Sequence, residues 1–391
     1  MPASRIFLYL LISFVAGVAL NSLVLVPQLF MFGVFILGLV LASVFYKKDK
    51  RIVVAGFCLL VFATGVYRHQ MFERPGDGLE YYKNYYNQKE TSSNFTTSFK
   101  SRLKTSLDSS LSPPQSSILG AMMLGEKERL SYDLKEKLNR SGTRHITAIS
   151  GMHVMILANM LIGLGLILGM WRGQAFYFAL GTIIFFIIMV GAPPSAIRAG
   201  IMGGVVLFAE KIGRISAAQR LLIIAAAVML AVNPMLLKFD VGFQLSFLAT
   251  LGIAKLSPWF REKLSLVPGK LQMRSVMSMT FPAVIFTAPI LASNFGQLSL
   301  VSLFANILIV PVLALVLGLG FFAGILGMVA APLGQIAFWP VWLLLSYVVK
   351  VIEWSAALPF AAIQIETFPW YLAVLYFALL WWTIKYFKLE R

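Results

Sequence analysis

Apolar runs of membrane-crossing length, stacked with almost no polar sequence between them, limit what this chain can fold into. Ser4 to Val26 and Pro27 to Tyr46 follow one another directly. Each supplies the roughly 20 apolar residues that a helix needs to cross a bilayer. Backbone amides in lipid must be satisfied internally, so such runs become helices rather than open strands. A second run straight after the first argues against a cleaved leader before a soluble chain. Ile52 to Tyr67 is a third, shorter run. Residues 68–144 carry none, and apolar runs return near 145–170, 174–192, 196–209, 217–237, 239–256, 276–294, 298–327, 334–358 and 368–384. About ten to twelve crossings follow. The sequence therefore predicts an all-α, polytopic integral membrane bundle with broken helices and a small extracytoplasmic segment.

Composition agrees. Of the 391 residues, 59% are hydrophobic and 13% charged, where a soluble domain has roughly a quarter charged. This excludes an ordinary soluble enzyme, and it is the reverse of the low-hydrophobicity, high-charge signature of disorder. The single cysteine, Cys58, lies inside an apolar run, which excludes a disulfide framework and CxxC chemistry. The three histidines, His69, His145 and His153, are too few for a His-rich metal site. No metal and no cofactor is expected.

The net charge is +17, from 33 basic and 16 acidic residues. Lys47 to Arg51, Lys211 with Arg214 and Arg220, Lys255 through Arg274, and Lys385 to Arg391 all fall on one side when the spans alternate. Short basic loops are retained in the cytoplasm. The N-terminus and residues 68–144 are then predicted outside and the C-terminus cytoplasmic, so topology accounts for most of the surplus charge. Four blocks follow: N-terminal transmembrane helices over 1–67, a short extracytoplasmic loop over 68–112, a channel-like core with an amphipathic lead-in over 113–327, and C-terminal transmembrane helices over 328–391. In the lead-in, Leu130, Leu134 and Leu138 recur at i, i+4 and i+8 opposite Lys135, Glu136 and Lys137, which predicts an amphipathic helix lying at the membrane surface. Gly120 to Lys127 falls short of a phosphate loop, because Glu126 follows the second glycine and no hydroxyl follows Lys127.

Three polar segments interrupt the apolar pattern. Ser141-Gly-Thr-Arg-His-Ile-Thr-Ala-Ile-Ser-Gly-Met-His153 stands at the entrance to a span, where polar groups are costly unless they face protein or water. Its small residues, Gly142, Ala148, Ser150 and Gly151, suit a close helix-packing seam. A catalytic reading would make Ser150 the nucleophile and His153 the base, but the GxSG of rhomboid-like proteases needs glycine where Ala148 stands. Gly191-Ala-Pro-Pro-Ser-Ala-Ile-Arg198 breaks a span at Pro193 and Pro194. Ser195 is expected to cap a new helix, with Arg198 in its first turn near the positive dipole end, a place that suits a passing phosphate. An ordinary hairpin with Arg198 paired inside the protein is the other reading. In Asn233 to Phe247, Asp240 and Gln244 share a helical face. Asp240 needs a cationic partner if buried, with Arg198 and Lys238 available, or it lines a substrate path. Farther on, Pro311 frees the carbonyl of Ile307, beside which Asn306 can repair the lost bond or line a path.

The strings HITAISGMHV, GAPPSAIRAGIM, NPMLLKFDVGFQLSFLATLGI and FGQLSLVSLFANILIVPV, in that order, resemble the membrane-embedded competence region of the ComEC family over roughly residues 113–320. The resemblance implies a channel in the bacterial inner membrane that passes single-stranded DNA into the cytoplasm during natural transformation. By position, His145, Ser150, Gly151, His153, Arg198, Asp240, Gly242, Gln244, Ser246, Asn306 and Pro311 fall on its recurring motif positions. The partners it implies are single-stranded DNA, membrane lipids, an extracytoplasmic DNA receptor, a separate nuclease, a cytoplasmic ATPase and further copies of the chain. Two departures stand out. About 45 residues separate Arg68 from Pro113, too few for the OB-like domain common in the family, and three histidines cannot furnish a metallo-β-lactamase site. The chain is accordingly expected not to be an enzyme, having neither nuclease nor ATPase motif. In this reading polar helix breaks and Arg198 guide phosphates while buried aromatic faces stack bases. Most tryptophans, including Trp171, Trp370, Trp381 and Trp382, read instead as interface anchors. The alternative is a transporter for another anionic solute or a lipid head group, for which inverted repeats would be expected.

Overall fold

A computed structural model describes residues 2–72, 94–149, 151–211, 218–266, 273–365 and 368–386. The described residues are helical almost throughout, as the apolar runs require. Among the described residues, six helices are long and apolar enough to cross a membrane: Ser4–Leu23, Lys50–Phe72, Arg172–Met189, Met273–Phe295, Ser302–Val329 and Ala331–Ala357. Five shorter apolar helices, Gln28–Val44, Gln115–Leu124, His153–Ile167, Arg220–Val232 and Tyr371–Tyr386, accompany them. Large apolar side chains such as Leu29, Ile167 and Val329 are exposed, the outward face expected of helices solvated by acyl chains. Trp171, Trp381 and Trp382 are exposed too.

The helices form two compact units. The first combines residues 1–90 with 212–247. It contains α1 (Ala3–Leu23), α2 (Gln28–Val44), α3 (Lys50–Phe72), α10 (Ala218–Val232) and the short α11 (Leu236–Phe239). Glycines set its helix crossings. A Cβ on Gly17 of α1 would overlap the Phe62 carbonyl of α3, and one on Gly65 would overlap that of Phe14. Gly38 of α2 and Gly56 of α3 form a second such pair, each 2.8–2.9 Å from the other's carbonyl oxygen when given a Cβ. Small residues drive association in lipid because close backbone approach maximises dispersion contact. At one end, Asn21 bonds His69 Nδ1 at 2.9 Å and accepts from Gln70 and the Val26 amide. Arg68 Nε donates to the Ala231 carbonyl at 2.8 Å and its Nη2 to that of Val232, satisfying acceptors left over at the end of α10.

The second unit combines residues 91–211 with 248–391. In chain order it holds α4 (Asn94–Ser110), α5 (Gln115–Leu124), α6 (Tyr132–Arg140), α7 (Gly151–Ile167), α8 (Arg172–Met189) and α9 (Pro194–Lys211). The latter part of α12 (Val241–Lys263) follows, then α13 (Met273–Phe295), β1 (Gln297–Ser299), α14 (Ser302–Val329), α15 (Ala331–Ala357), β2 (Ala362–Gln364) and α16 (Trp370–Tyr386). Its core centres on α5, whose residues Ser116 to Leu124 are all buried. Around it pack Leu103 and Leu107 of α4, Leu134 and Leu138 of α6, Ile309 and Leu313 of α14, and Leu345 and Val348 of α15. One core thus draws side chains from both 113–327 and 328–391.

Three local expectations need correction. Residues 94–110, within the segment anticipated as a loop, form α4, with Leu103, Leu107 and Leu111 making a buried i, i+4, i+8 stripe. The amphipathic helix α6 exists, but Leu130, Leu134 and Leu138 are buried in the protein core rather than laid on lipid. Its charged face stays outward, where Lys137 bridges Asp133 at 2.8 Å and Glu353 of α15 at 3.3 Å. The Asp133 carboxylate holds that ammonium above the ordinary lysine pKa. Third, β1 and β2 pair antiparallel, with Gln297 opposite Gln364 and Ser299 opposite Ala362. Two three-residue strands flanked by long helices leave no recognisable period.

Candidate functional site

Within the second unit, two of the three polar segments meet, and the first also packs against residues 299–302. α6 ends at Arg140, and the chain turns through Ser141 and Gly142, the latter at φ +69°. Ser141 Oγ lies 2.6 Å from Thr143 Oγ1 and donates to the Leu138 carbonyl. Both hydroxyls are fully buried, so each must find a partner close by in sequence. Thr147 Oγ1 donates back to the Arg144 carbonyl. Ser299 Oγ, at the end of β1, donates to the Arg140 carbonyl at 2.8 Å. A Cβ on Gly142 would overlap Ser302 at the start of α14 and come within 2.9 Å of Ser299 Cβ. Residues 140–143 are therefore clamped against residues 299–302.

The second convergence joins residues 149–151 to the break at 191–198. α8 closes with the Ala192 amide on the Ile187 carbonyl, and Gly191 and Ala192 adopt φ +85° and +49°. α9 then starts at Pro194, whose missing amide donor is no loss in a first turn. Ser195 falls within the first turn of α9 rather than ahead of it, where a cap was expected. Its hydroxyl donates to the Ile149 carbonyl, tying the start of α9 to the lead-in of α7. Ala199 packs with Val154, Ala158 and Ile183, and a Cβ on Gly151 would sit 3.8 Å from Ala199 Cβ. The His153 and Arg198 side chains, at the starts of α7 and α9, are 2% and 5% exposed, so both face protein rather than lipid. His145, in a 3-10 turn over Arg144–Ile146, is exposed, and its ring bonds the Gly142 carbonyl. Ser150 lies outside the described residues.

On α14, Pro311 sits inside a continuous helix. Asn306 is buried, and its Oδ1 accepts no hydrogen bond among the described residues. Tyr347 Oη of α15 donates to the Leu308 carbonyl at 3.3 Å, so α15 supplies a donor to the stretch that precedes the proline.

The third segment, Asn233 to Phe247, belongs to the first unit and has a local architecture of its own. Asn233 Oδ1 accepts from the Met235 amide at 3.0 Å, turning the chain from α10 into α11. Asp240 follows α11 and caps α12, with Oδ1 accepting from the Phe243 amide at 2.6 Å. Gln244 Nε2 donates to the Leu237 carbonyl at 2.8 Å and more weakly to that of Lys238. The pair at i and i+4 is thus used to splice α11 to α12. A Cβ on Gly242 would approach Asp240 Oδ1 to 3.0 Å, while Ser246 lies half-buried one turn farther along. Losing an N-cap acceptor costs about 1 kcal/mol. Asp240→Ala is therefore expected to lower thermal stability in detergent by about that amount, and Asp240→Asn, which keeps an acceptor oxygen, by clearly less. Equal losses would remove the cap from the account.

Sequence reasoning missed Ser299, Ser302 and Thr143, the hydroxyl and small groups that lock the Gly142 turn. Serines at 299 and 302 within GQLSLVSLFAN were the available signal, since hydroxyls there must bond locally or across a packed contact.

The architecture defines a polytopic helical membrane protein in which polar helix breaks are gathered inside a protein core. The chain belongs to the competence protein family, whose profile matches residues 122–390. It is similar to ComE operon protein 3 of Bacillus subtilis (strain 168), with 31% identity over 249 residues, 63% of this chain and 31% of that protein. The chain therefore covers under a third of that relative's length. No solved structure matches it.

Proposed function

We propose that this chain forms the membrane channel through which single-stranded DNA enters the cytoplasm during natural transformation. The observation that carries the reading is the junction of residues 141–153 with residues 191–198, made by the Ser195 to Ile149 bond beside buried Arg198, in a chain of the competence family. A helix break inside a membrane protein presents backbone dipoles to whatever fills the adjacent space, and a guanidinium there offers a multidentate donor to phosphate. Weak, repeated contacts of this kind allow a polyanion to pass without being trapped. The bacterial inner membrane is the proposed location, with residues 68–144 outside and the C-terminus in the cytoplasm. The three helices α1 to α3 between the N-terminus and residue 73 then put the N-terminus on the cytoplasmic side, not outside as expected from the sequence. The chain acts without catalysis of its own. An extracytoplasmic receptor delivers the strand, a separate nuclease removes its complement, and a cytoplasmic ATPase draws it inward. The chain works as a homo-oligomer among membrane lipids.

Arg198→Ala is expected to lower uptake of labelled DNA at least tenfold in cells where deleting the chain abolishes it, with Arg198→Lys intermediate because charge is kept but the fork is lost. Uptake at the wild-type rate in Arg198→Ala, with the protein present at normal level, would remove Arg198 from the DNA path. A transporter of a small anion would instead leave DNA uptake intact and move labelled solute into vesicles.

A further inference from the structure

Outside the helix breaks, the second unit holds an open cleft of about 510 Å³ lined by Tyr132, Lys135, Glu136, Asn139 and Arg144 from the α6 side. Phe295, Gly296, Gln297, Gln364 and Ile365 line the facing side, from the end of α13 and the two-stranded ribbon. Its volume lies within the range of roughly 300–1,000 Å³ typical of small-ligand sites, the scale of one nucleotide rather than a duplex.

Its chemistry is mixed in a particular way. The Arg144 guanidinium lies over the Phe295 ring, 4.8 Å from its centroid, while Nη1 donates to Asn139 Oδ1 at 3.1 Å. An aromatic ring and a carboxamide thus fix its plane, leaving the exposed remainder of the fork for an anion. Lys135 adds an ammonium one turn before Asn139, and among the described residues it forms no ion pair. Opposite the cations, Gln297 and Gln364 are register partners across the ribbon, so their carboxamides come from adjacent backbone positions. Carboxamides carry both donor and acceptor and match the edge of an unpaired base. Glu136 adds an acceptor suited to an exocyclic amine, and the Tyr132 ring, 84% exposed, offers a stacking face. An acidic peptide would use the two cations but would find no role for Glu136 and three carboxamides.

We propose that this cleft binds one nucleotide of an unpaired strand, phosphate against Lys135 and Arg144 and base edge against Gln297 and Gln364. The proposal rests on the DNA-channel reading and gives it a docking point apart from the helix breaks. Binding at a single cleft holds the strand in place while its neighbours remain free to advance.

The test measures anisotropy of a short fluorescent single-stranded oligonucleotide, and of an abasic strand of equal length, against the full chain in lipid nanodiscs at fixed salt. Lys135→Ala, a half-buried change that breaks no ion pair among the described residues, is expected to weaken both strands about tenfold, as is Arg144→Lys, which keeps charge without the fork. Gln364→Ala is expected to weaken the intact strand about fivefold and leave the abasic strand unchanged. Wild-type affinity for both strands in Lys135→Ala and Gln364→Ala overturns the proposal, and so does polyglutamate binding more tightly than the oligonucleotide. A wild-type chain that binds neither strand overturns it too, and if deletion still abolishes DNA uptake the channel reading survives. Should deletion leave uptake intact, the channel reading fails on its own account.

Discussion

Gly142→Val is expected to remove most of the margin by which the second unit stays folded. Two costs act together at this residue. Its φ of +69° lies in the left-handed region, which costs an L-residue about 1–2 kcal/mol, more for a β-branched one. A Cβ there would also overlap Ser302 and crowd Ser299, and overpacking costs about 1–3 kcal/mol. The sum, about 2–5 kcal/mol, compares with a total stability of roughly 5–15 kcal/mol for a domain. Thermal unfolding in detergent should show the midpoint falling steeply, with Gly142→Ala between the two. Adding Ser302→Gly should recover part of the packing cost, since Ser299 still crowds the new side chain, and leave the backbone part. A wild-type midpoint for Gly142→Val would mean that residues 140–143 are not held against residues 299–302.

Gly65→Leu should be comparably severe in the first unit. Any side chain at Gly65 meets the backbone of α1 at Phe14 and lies 3.2 Å from the Val18 amide nitrogen. Backbone cannot rotate away as a side chain can, so α1 and α3 must separate and lose the dispersion contact along their crossing. Gly33→Ala in α2 is the matched control, because a Cβ there meets nothing within 4 Å. It should be neutral or stabilising by about 0.5–1 kcal/mol through helix propensity. Protease resistance of the chain in lipid separates the two: Gly65→Leu exposes cleavage sites that the control does not. Equal resistance would show that the glycine crossing is not what joins α1 to α3.

The helices were legible in the sequence because lipid imposes one rule on every span, and runs such as Ser302–Val329 satisfy it without help from tertiary context. α4 was hidden for the opposite reason: Leu103 and Leu107 are spaced for a helix, but serines, threonines and lysines around them read as solvated loop. The stripe of α6 was visible, whereas its destination was not, since Leu134 looks the same facing acyl chains or Leu345. At the site, Pro193 and Pro194 announced the break because a missing amide is a local fact. Ser195 reads as a cap for its own helix, whereas its hydroxyl donates to the carbonyl of Ile149, 46 residues away. Asp240 reads from the sequence as a buried acid that needs a cation or lines a path, and its carboxylate also serves α12 as an N-cap, a role that only the backbone turn after α11 reveals.

The first unit is assembled from residues 1–90 and 212–247, and Arg68 reaches carbonyls at positions 231 and 232. A ribosome delivers α3 long before α10, with α4 through α9 translated in the interval. Early helices must therefore wait in lipid, partly unsatisfied, until more than a hundred later residues have been translated. Truncated or stalled products ending before Ala218 should be recognisable to quality-control proteases by the uncovered guanidinium of Arg68.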